Sequence, residues 1–291
     1  MDTLFETDLN LPLIQKGKVR DIYDIDEKRM LIVTTDRLSA FDVVFDDGIA
    51  KKGMVLTEVA NFWFDKTQDI IPNHLTHESL NTVLSTADTQ QVEGRAIIVK
   101  KLKPLAVEAI VRGYIIGSGW KDYQKTGSIC GTKLPENLQL AEKLPEVLYT
   151  PSSKAAVGEH DENINFSTTV EILGEDLAHQ VKNASLALYQ FAAEFALERG
   201  IIIADTKFEF GLDENNTLTL MDEVLTPDSS RFWSAKDYQI GTSPQSFDKQ
   251  IVRDYLETLD WNKTPPAPTL PKHIIDKTAE KYQQVQQLLT N

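Results

Sequence analysis

Only one cysteine, Cys130, stands among the 291 residues, so the chain can form neither an intramolecular disulfide nor a thiolate metal cluster. Cytoplasmic residence is the simplest expectation. No apolar run is long enough to span a bilayer. The opening MDTLFETDLNLPL has no basic stretch leading into an apolar one, so no signal peptide is expected. Positive charge is scarce: 30 Lys and Arg face 44 Asp and Glu, for a net charge of −14. That balance opposes attraction to nucleic acid or anionic lipid, yet it leaves room for a local cationic pocket around a small anion. Neither GxGxxG nor GxxxxGK[ST] occurs. The five histidines are scattered; His74 and His77 form a lone HxxH pair beside Pro72 and Asn73, expected as a surface turn rather than a metal site. There is no internal repeat and no heptad run.

What is present is an ordinary globular composition, 41% hydrophobic and 25% charged, with a length comfortable for two lobes. The most informative stretch is 201–233, IIIADTKFEFGLDENNTLTLMDEVLTPDSSRFW. Strand alternation over 201–210 places Asp205, Lys207 and Glu209 on one face and Phe208 with Phe210 on the other. Residues 211–216 are turn-forming, and 217–224 return as a second strand. An even loop centred on Glu214 and Asn215 sets Asp222 opposite Lys207 and diagonal to Glu209; an odd loop sends it to the other face. We take the even register as the expectation. Two carboxylates beside a lysine suit a hard cation and a phosphate. The same pattern also serves a solvated sheet face.

Residues 16–23, KGKVRDIY, run through Asp26-Glu27-Lys28 into Met30-Leu31-Ile32-Val33-Thr34-Thr35, the grammar of a hairpin. Gly17 between Lys16 and Lys18 lets backbone approach a polyphosphate that the ammonium groups neutralise, or simply starts the hairpin. Residues 36–42, DRLSAFD, are expected as a loop over a site, and 53–67 as a scaffold helix. Strand-like sequence resumes after Gly94 and breaks at Lys103-Pro104, the expected lobe boundary. Arg112 then precedes a glycine- and serine-bearing turn through Ser118, either an anion site or an ordinary loop. Residues 126–166 read as a long irregular segment, with Lys154 and an acidic group at 158–162. Residues 168–199 read as one helix ending at Gly200. Ser246 is expected to cap a helix bearing Lys249 and Arg253, and a last helix spans about 272–289.

Several blocks together resemble one family. IADTKFEFG at 203–211, EVLTPDSSRFW at 223–233, KGKVRDIY at 16–23, TTDRLSAFD at 34–42, GMVLT at 53–57 and VEAIVRGYIIGSGW at 107–120 are similar, in the same order, to motifs of the SAICAR synthetases of purine biosynthesis. Ala106 departs from a usual proline, and Ile116 from a usual small residue. The resemblance implies an α+β fold of two lobes with the active site in the cleft between them. Residues 1–104 would form a kinase-like β-rich lobe and 105–291 a larger ATP-grasp-like one. It implies that ATP activates the carboxylate of carboxyaminoimidazole ribonucleotide, as an acyl phosphate, and that the amine of L-aspartate then displaces phosphate. Glu209 and Asp222 would bind Mg²⁺, with Lys18 and Lys207 steadying the transferring phosphoryl group. Lys16, Gly17, Leu102 and Glu108 would complete the ATP site. Arg112, Ser118, Arg231 and Asp228 would hold the substrate phosphate, while Ser39, Asp42 and Lys154 line the carboxylate and aspartate end. Partners would be small molecules, with no nucleic acid or membrane, and the chain a monomer or small homo-oligomer. Rival readings are another ATP-dependent enzyme on a similar scaffold and a silent nucleotide-binding protein.

Overall fold

The computed structural model describes residues 3–154 and 162–291, so the acidic group at 158–161 lies outside the described residues. The fold is mixed α/β. Its first half is a four-stranded antiparallel sheet in the order Leu13–Lys16, Arg20–Asp24, Arg29–Thr34, Ala96–Lys100. The turn between the second and third of these strands closes on Asp26, whose carboxylate accepts from the amides of Lys28 and Arg29 at 2.9 and 2.8 Å. The expected hairpin is therefore present. The turn that bears Gly17 precedes it, joining Leu13–Lys16 to Arg20–Asp24.

An eight-stranded sheet occupies the second half. Its centre is the strand Ile201–Leu212, paired along one side with Val107–Tyr114 and Lys103–Pro104 and along the other with Ser230–Ser234 and Leu218–Met221. Twelve residues flanked on both sides must be apolar at both ends and tolerate polar groups only where partners exist, and the run from Ile201 to Ile203 and the pair Phe208 and Phe210 are all buried. Helix Glu175–Glu198 packs on this strand, and Gly200, at φ +75°, turns the chain from helix into strand.

Helix Lys52–Lys66 lies against both the strand Arg29–Thr34 and the helix Lys272–Thr290. Its start presses so closely on the first sheet that a Cβ on Gly53 would collide with the Thr34 carbonyl. One hydrophobic cluster joins the two sheets through this helix, with Ile32 and Val99 from one side, Trp63 and Phe64 from the helix, and Phe208 and Leu220 from the other. A second cluster packs Leu38 and Phe45 against Val252, Leu256 and Ile274. Among the described residues, no helix is long and apolar enough to cross a membrane.

Five local expectations are corrected. Residues 36–42 are not a loop: Arg37–Ala40 and Val43–Gly48 form a two-stranded ribbon whose first strand is buried, and only Phe41 and Asp42, both at positive φ, make its turn. Residues 126–166 contain the strand Lys143–Tyr149, which pairs with Val107–Tyr114. The long helix is two, Phe166–Leu173 and Glu175–Glu198, divided at Gly174 with φ +83°. Finally, the helix bearing Arg253 starts at Gln250, whose amide is held by Asp248 at 2.7 Å, while Ser246 donates to the Phe232 carbonyl instead of capping. His74 is no surface residue either. It is fully buried against Phe64, and its imidazole nitrogens have no hydrogen-bond partner.

Candidate active site

The central strand keeps the expected alternation, with Asp205, Lys207 and Glu209 on one face, but the hairpin register differs from expectation. Glu209 pairs with Met221 and Leu212 with Leu218, leaving a five-residue loop centred on Asn215. The loop is odd because Asp213 closes it, accepting from the amides of Asn215 and Thr217 at 2.9 and 2.7 Å. Simple alternation would then turn Asp222 away. Alternation stops short of it, however: the strand ends at Met221, and Asp222 takes a left-handed conformation, φ +71°, with its carboxylate held by Arg20. Asp222 and Glu209 feel one another: burial pushes the Asp222 carboxyl up, and Glu209 and Glu223 add to that against the pull of Arg20. The two carboxylates thus lie within electrostatic reach of one another, which strand parity alone did not provide for.

Each carboxylate is already matched by cations of the chain. Lys207 Nζ lies 3.0 Å from Glu209 and 2.6 Å from Glu108, and Lys154 Nζ reaches the other Glu209 oxygen at 2.6 Å. Burial pushes the Glu209 carboxyl up, but the two ammonium groups outweigh it and hold it at about 2. The same anions keep Lys207 protonated despite its burial. Glu108 and Lys154, expected at the adenine and aspartate ends, are therefore members of this charged row. Arg20, which the motif reading passed over, holds both oxygens of Asp222 at 2.5 and 2.9 Å and approaches Glu223 at 3.4 Å. Among the described residues no three His, Cys, Asp or Glu side chains form a metal cage. Two neighbouring carboxylates suit Mg²⁺ nonetheless, since that ion completes its shell with water and phosphate oxygens.

Four residues back along the strand, Asp205 gathers the anion-binding groups. Arg112 and Arg231 come from the two flanking strands and both bond the same Asp205 oxygen. Arg112 also donates to Thr150 at 3.0 Å and to Ser118 at 3.0 Å. Ser118 sits in the first turn of helix Gly117–Thr126, whose amide dipoles favour an anion there. Gly117, at φ +60°, is packed on the Arg231 guanidinium, where a Cβ would clash. Asp205 was legible as a neighbour of Lys207 but not as the clasp of two arginines, because that depends on which strands flank it.

Asp228, expected as a substrate ligand, is held by two lysines and a tyrosine of the chain. Its side chain is 3% exposed, ion-paired with Lys52 at 2.8 Å and Lys249 at 3.3 Å, and it accepts from Tyr282 at 2.6 Å. Burial acts against its charge, but Lys249 and Lys52 hold the carboxyl far below its usual range. It anchors the turn that carries Arg231, a turn also tied to the central strand by the Lys207 amide donating to the Ser229 carbonyl at 2.9 Å. Lys18 reaches across to Asp42, joining the Gly17 turn to the Phe41–Asp42 turn, while Lys16 pairs outward with Glu6. Ser39 is buried in the ribbon. Leu102 lines a cavity of about 1250 Å³ between the loops around Lys28, His77 and Asn215.

The SAICAR synthetase family model matches residues 13–268. The chain belongs to the SAICAR synthetase family. The phosphoribosylaminoimidazole-succinocarboxamide synthase of Neisseria meningitidis serogroup B is 60% identical over 284 residues, 98% of this chain and 99% of that one. The enzyme of the same name from Haemophilus influenzae strain PittEE is 60% identical over 282 residues, 97% of each chain. Among solved structures, the SAICAR synthase of Saccharomyces cerevisiae complexed with SAICAR is similar at a TM-score of 0.90 and 42% identity, covering 99% of this chain and 98% of that one. SAICAR synthetases carry out ATP-dependent ligation of aspartate in purine biosynthesis. Of this chain's two departures from the family pattern, Ala106 is exposed and Ile116 precedes the helix that carries Ser118.

Proposed function

We propose that the chain joins L-aspartate to the carboxylate of carboxyaminoimidazole ribonucleotide through an acyl phosphate. The observation that carries this reading is the face of the central strand. Asp205 with its two arginines lies two residues from Lys207 and four from Glu209, about 7 and about 13 Å by strand rise. That spacing suits a ribonucleotide whose phosphate rests on Arg112, Arg231 and Ser118 while its base carboxylate points at the charged row. Asp228, Lys52 and Tyr282 support that pocket from behind.

A carboxylate oxygen attacks the γ-phosphorus of ATP, and the bond to ADP breaks. The aspartate amine then attacks the acyl carbon, the C–N bond forms, and phosphate departs as the amine gives up a proton. Lys207 and Lys18 balance the charge of the transferring phosphoryl group, and Lys154 faces the carboxylate end with Ser39 and Asp42. Glu209 and Asp222 would hold Mg²⁺, whose chemistry is to neutralise the polyphosphate. Lys16, Gly17, Leu102 and Glu108 border the nucleotide. ATP use agrees with a SAICAR synthetase solved in complex with ADP. Most of the rate comes from positioning three reactants among fixed charges, so no nucleophilic side chain is required.

Two lobes, 1–104 and 105–291, kinase-like and ATP-grasp-like, with the site in the cleft, form part of this reading, as do a cytoplasmic setting and a monomer or small homo-oligomer. Carboxylate labelled with ¹⁸O tests the chemistry. One label per turnover should appear in the released phosphate; phosphate free of label would contradict an acyl phosphate.

A further inference from the structure

Every oxygen of the two carboxylates assigned to the metal is already engaged. Glu209 gives one to Lys207 and one to Lys154, and Asp222 gives both to Arg20. The contacts differ in kind. Lysine offers a single point charge on a flexible stem, whereas Arg20 covers Asp222 edge to edge with two parallel bonds and reaches on to Glu223 at 3.4 Å. A cation seeking Asp222 must compete with that clamp for the carboxylate. Arg20 is also the first residue of the strand that follows the Gly17 turn, the segment assigned above to cover the ATP phosphates. Phosphate oxygens arriving under that turn present the same guanidinium with an alternative planar anion.

We propose that Arg20 is a placeholder for the metal ion, exchanged from Asp222 to the nucleotide's phosphates when a nucleoside triphosphate enters. Before nucleotide arrives, the guanidinium neutralises Asp222 and Glu223 and keeps free divalent cations off the site. Afterwards it bonds phosphate oxygens, and Asp222 is released to the cation that the nucleotide brings. No covalent bond changes. The exchange makes cation binding conditional on nucleotide, so the two enter together rather than metal first. It rests on the reading of Asp222 as a metal ligand, and the test separates the two.

The test is Mn²⁺ binding to the full chain, followed by the EPR signal of free Mn²⁺, with and without a non-hydrolysable ATP analogue. Wild type should bind Mn²⁺ weakly alone and tightly with the analogue. Arg20→Met strips the clamp from a half-buried carboxylate, so Mn²⁺ binding without nucleotide should tighten at least tenfold, and adding Asp222→Asn should abolish the gain. Arg20→Lys, which keeps the charge but only one point of contact, should fall between and serves if Arg20→Met does not fold. Unchanged nucleotide-free affinity in both Arg20 variants, with Asp222→Asn still weakening the nucleotide-dependent binding, would overturn the placeholder and leave the metal reading standing. Asp222→Asn leaving nucleotide-dependent binding untouched would remove the metal reading, and the placeholder with it.

Discussion

Two buried groups make opposite adjustments to their charge, and acid exposes both. His74 is neutral, its pKa lowered to about 3 by burial first and by Arg20 and Lys100 after it. The unfolded chain, with an imidazole near 6.5, binds the proton that the folded chain refuses, so the contribution is present above pH 6.5 and is lost as pH falls toward 3. Glu209 is held charged at about 2, so its contribution is present above 4.5 and is lost as pH falls through about 2. Urea-unfolding midpoints against pH should show two windows. His74→Phe should flatten the slope from pH 6.5 down to about 3, by up to about 1.4 kcal/mol per pH unit, and leave the Glu209 contribution below pH 4.5. Glu209→Gln should do the reverse; coincident profiles for all three proteins would contradict these assignments. At this scale the sequence was informative about identity more than role. Lys207, Glu209 and Asp222 were legible from alternation and motif, whereas Arg20 and Asp205 were not. Each gains its meaning from a partner that is remote in sequence.

At the scale of elements, the hairpin 201–222 shows what periodicity can and cannot do. Its first strand was readable because alternation survives over Thr206–Phe210, where Lys207 and Glu209 are part-exposed and the residues between them are buried. Its loop was not, because Asp213 side-chain bonds fix an odd count and a single left-handed residue then undoes the consequence for Asp222. The ribbon at 37–48 was hidden for a related reason: two very short strands around a two-residue turn leave too little pattern. Helix Gly117–Thr126 carries a prediction of its own. Gly117 combines φ +60° with close contact to Arg231, so Gly117→Ala should displace the guanidinium. KM for the imidazole nucleotide should rise about tenfold or more, roughly one lost charged hydrogen bond, with KM for ATP little changed. Equal rises in both KM values would show that the helix does more than seat Arg231.

Across the whole molecule, chain ends and middle converge on one carboxylate. Lys52 begins a helix of the first half, Lys249 precedes a helix near the end, and Tyr282 lies in the last helix, yet all three meet Asp228. No local pattern announces such a junction. Tyr282→Phe removes one bond to a buried carboxylate and should cost on the order of 1–3 kcal/mol in unfolding free energy. The accompanying rise in KM should fall on the imidazole nucleotide. A purely structural tether would lower stability and leave that KM where it was. The measurement that bears most directly on the account is ADP release with each substrate omitted in turn. ADP should form at the full rate only with ATP, carboxyaminoimidazole ribonucleotide and L-aspartate together. Steady ADP formation without the imidazole nucleotide and without aspartate would contradict the assignment.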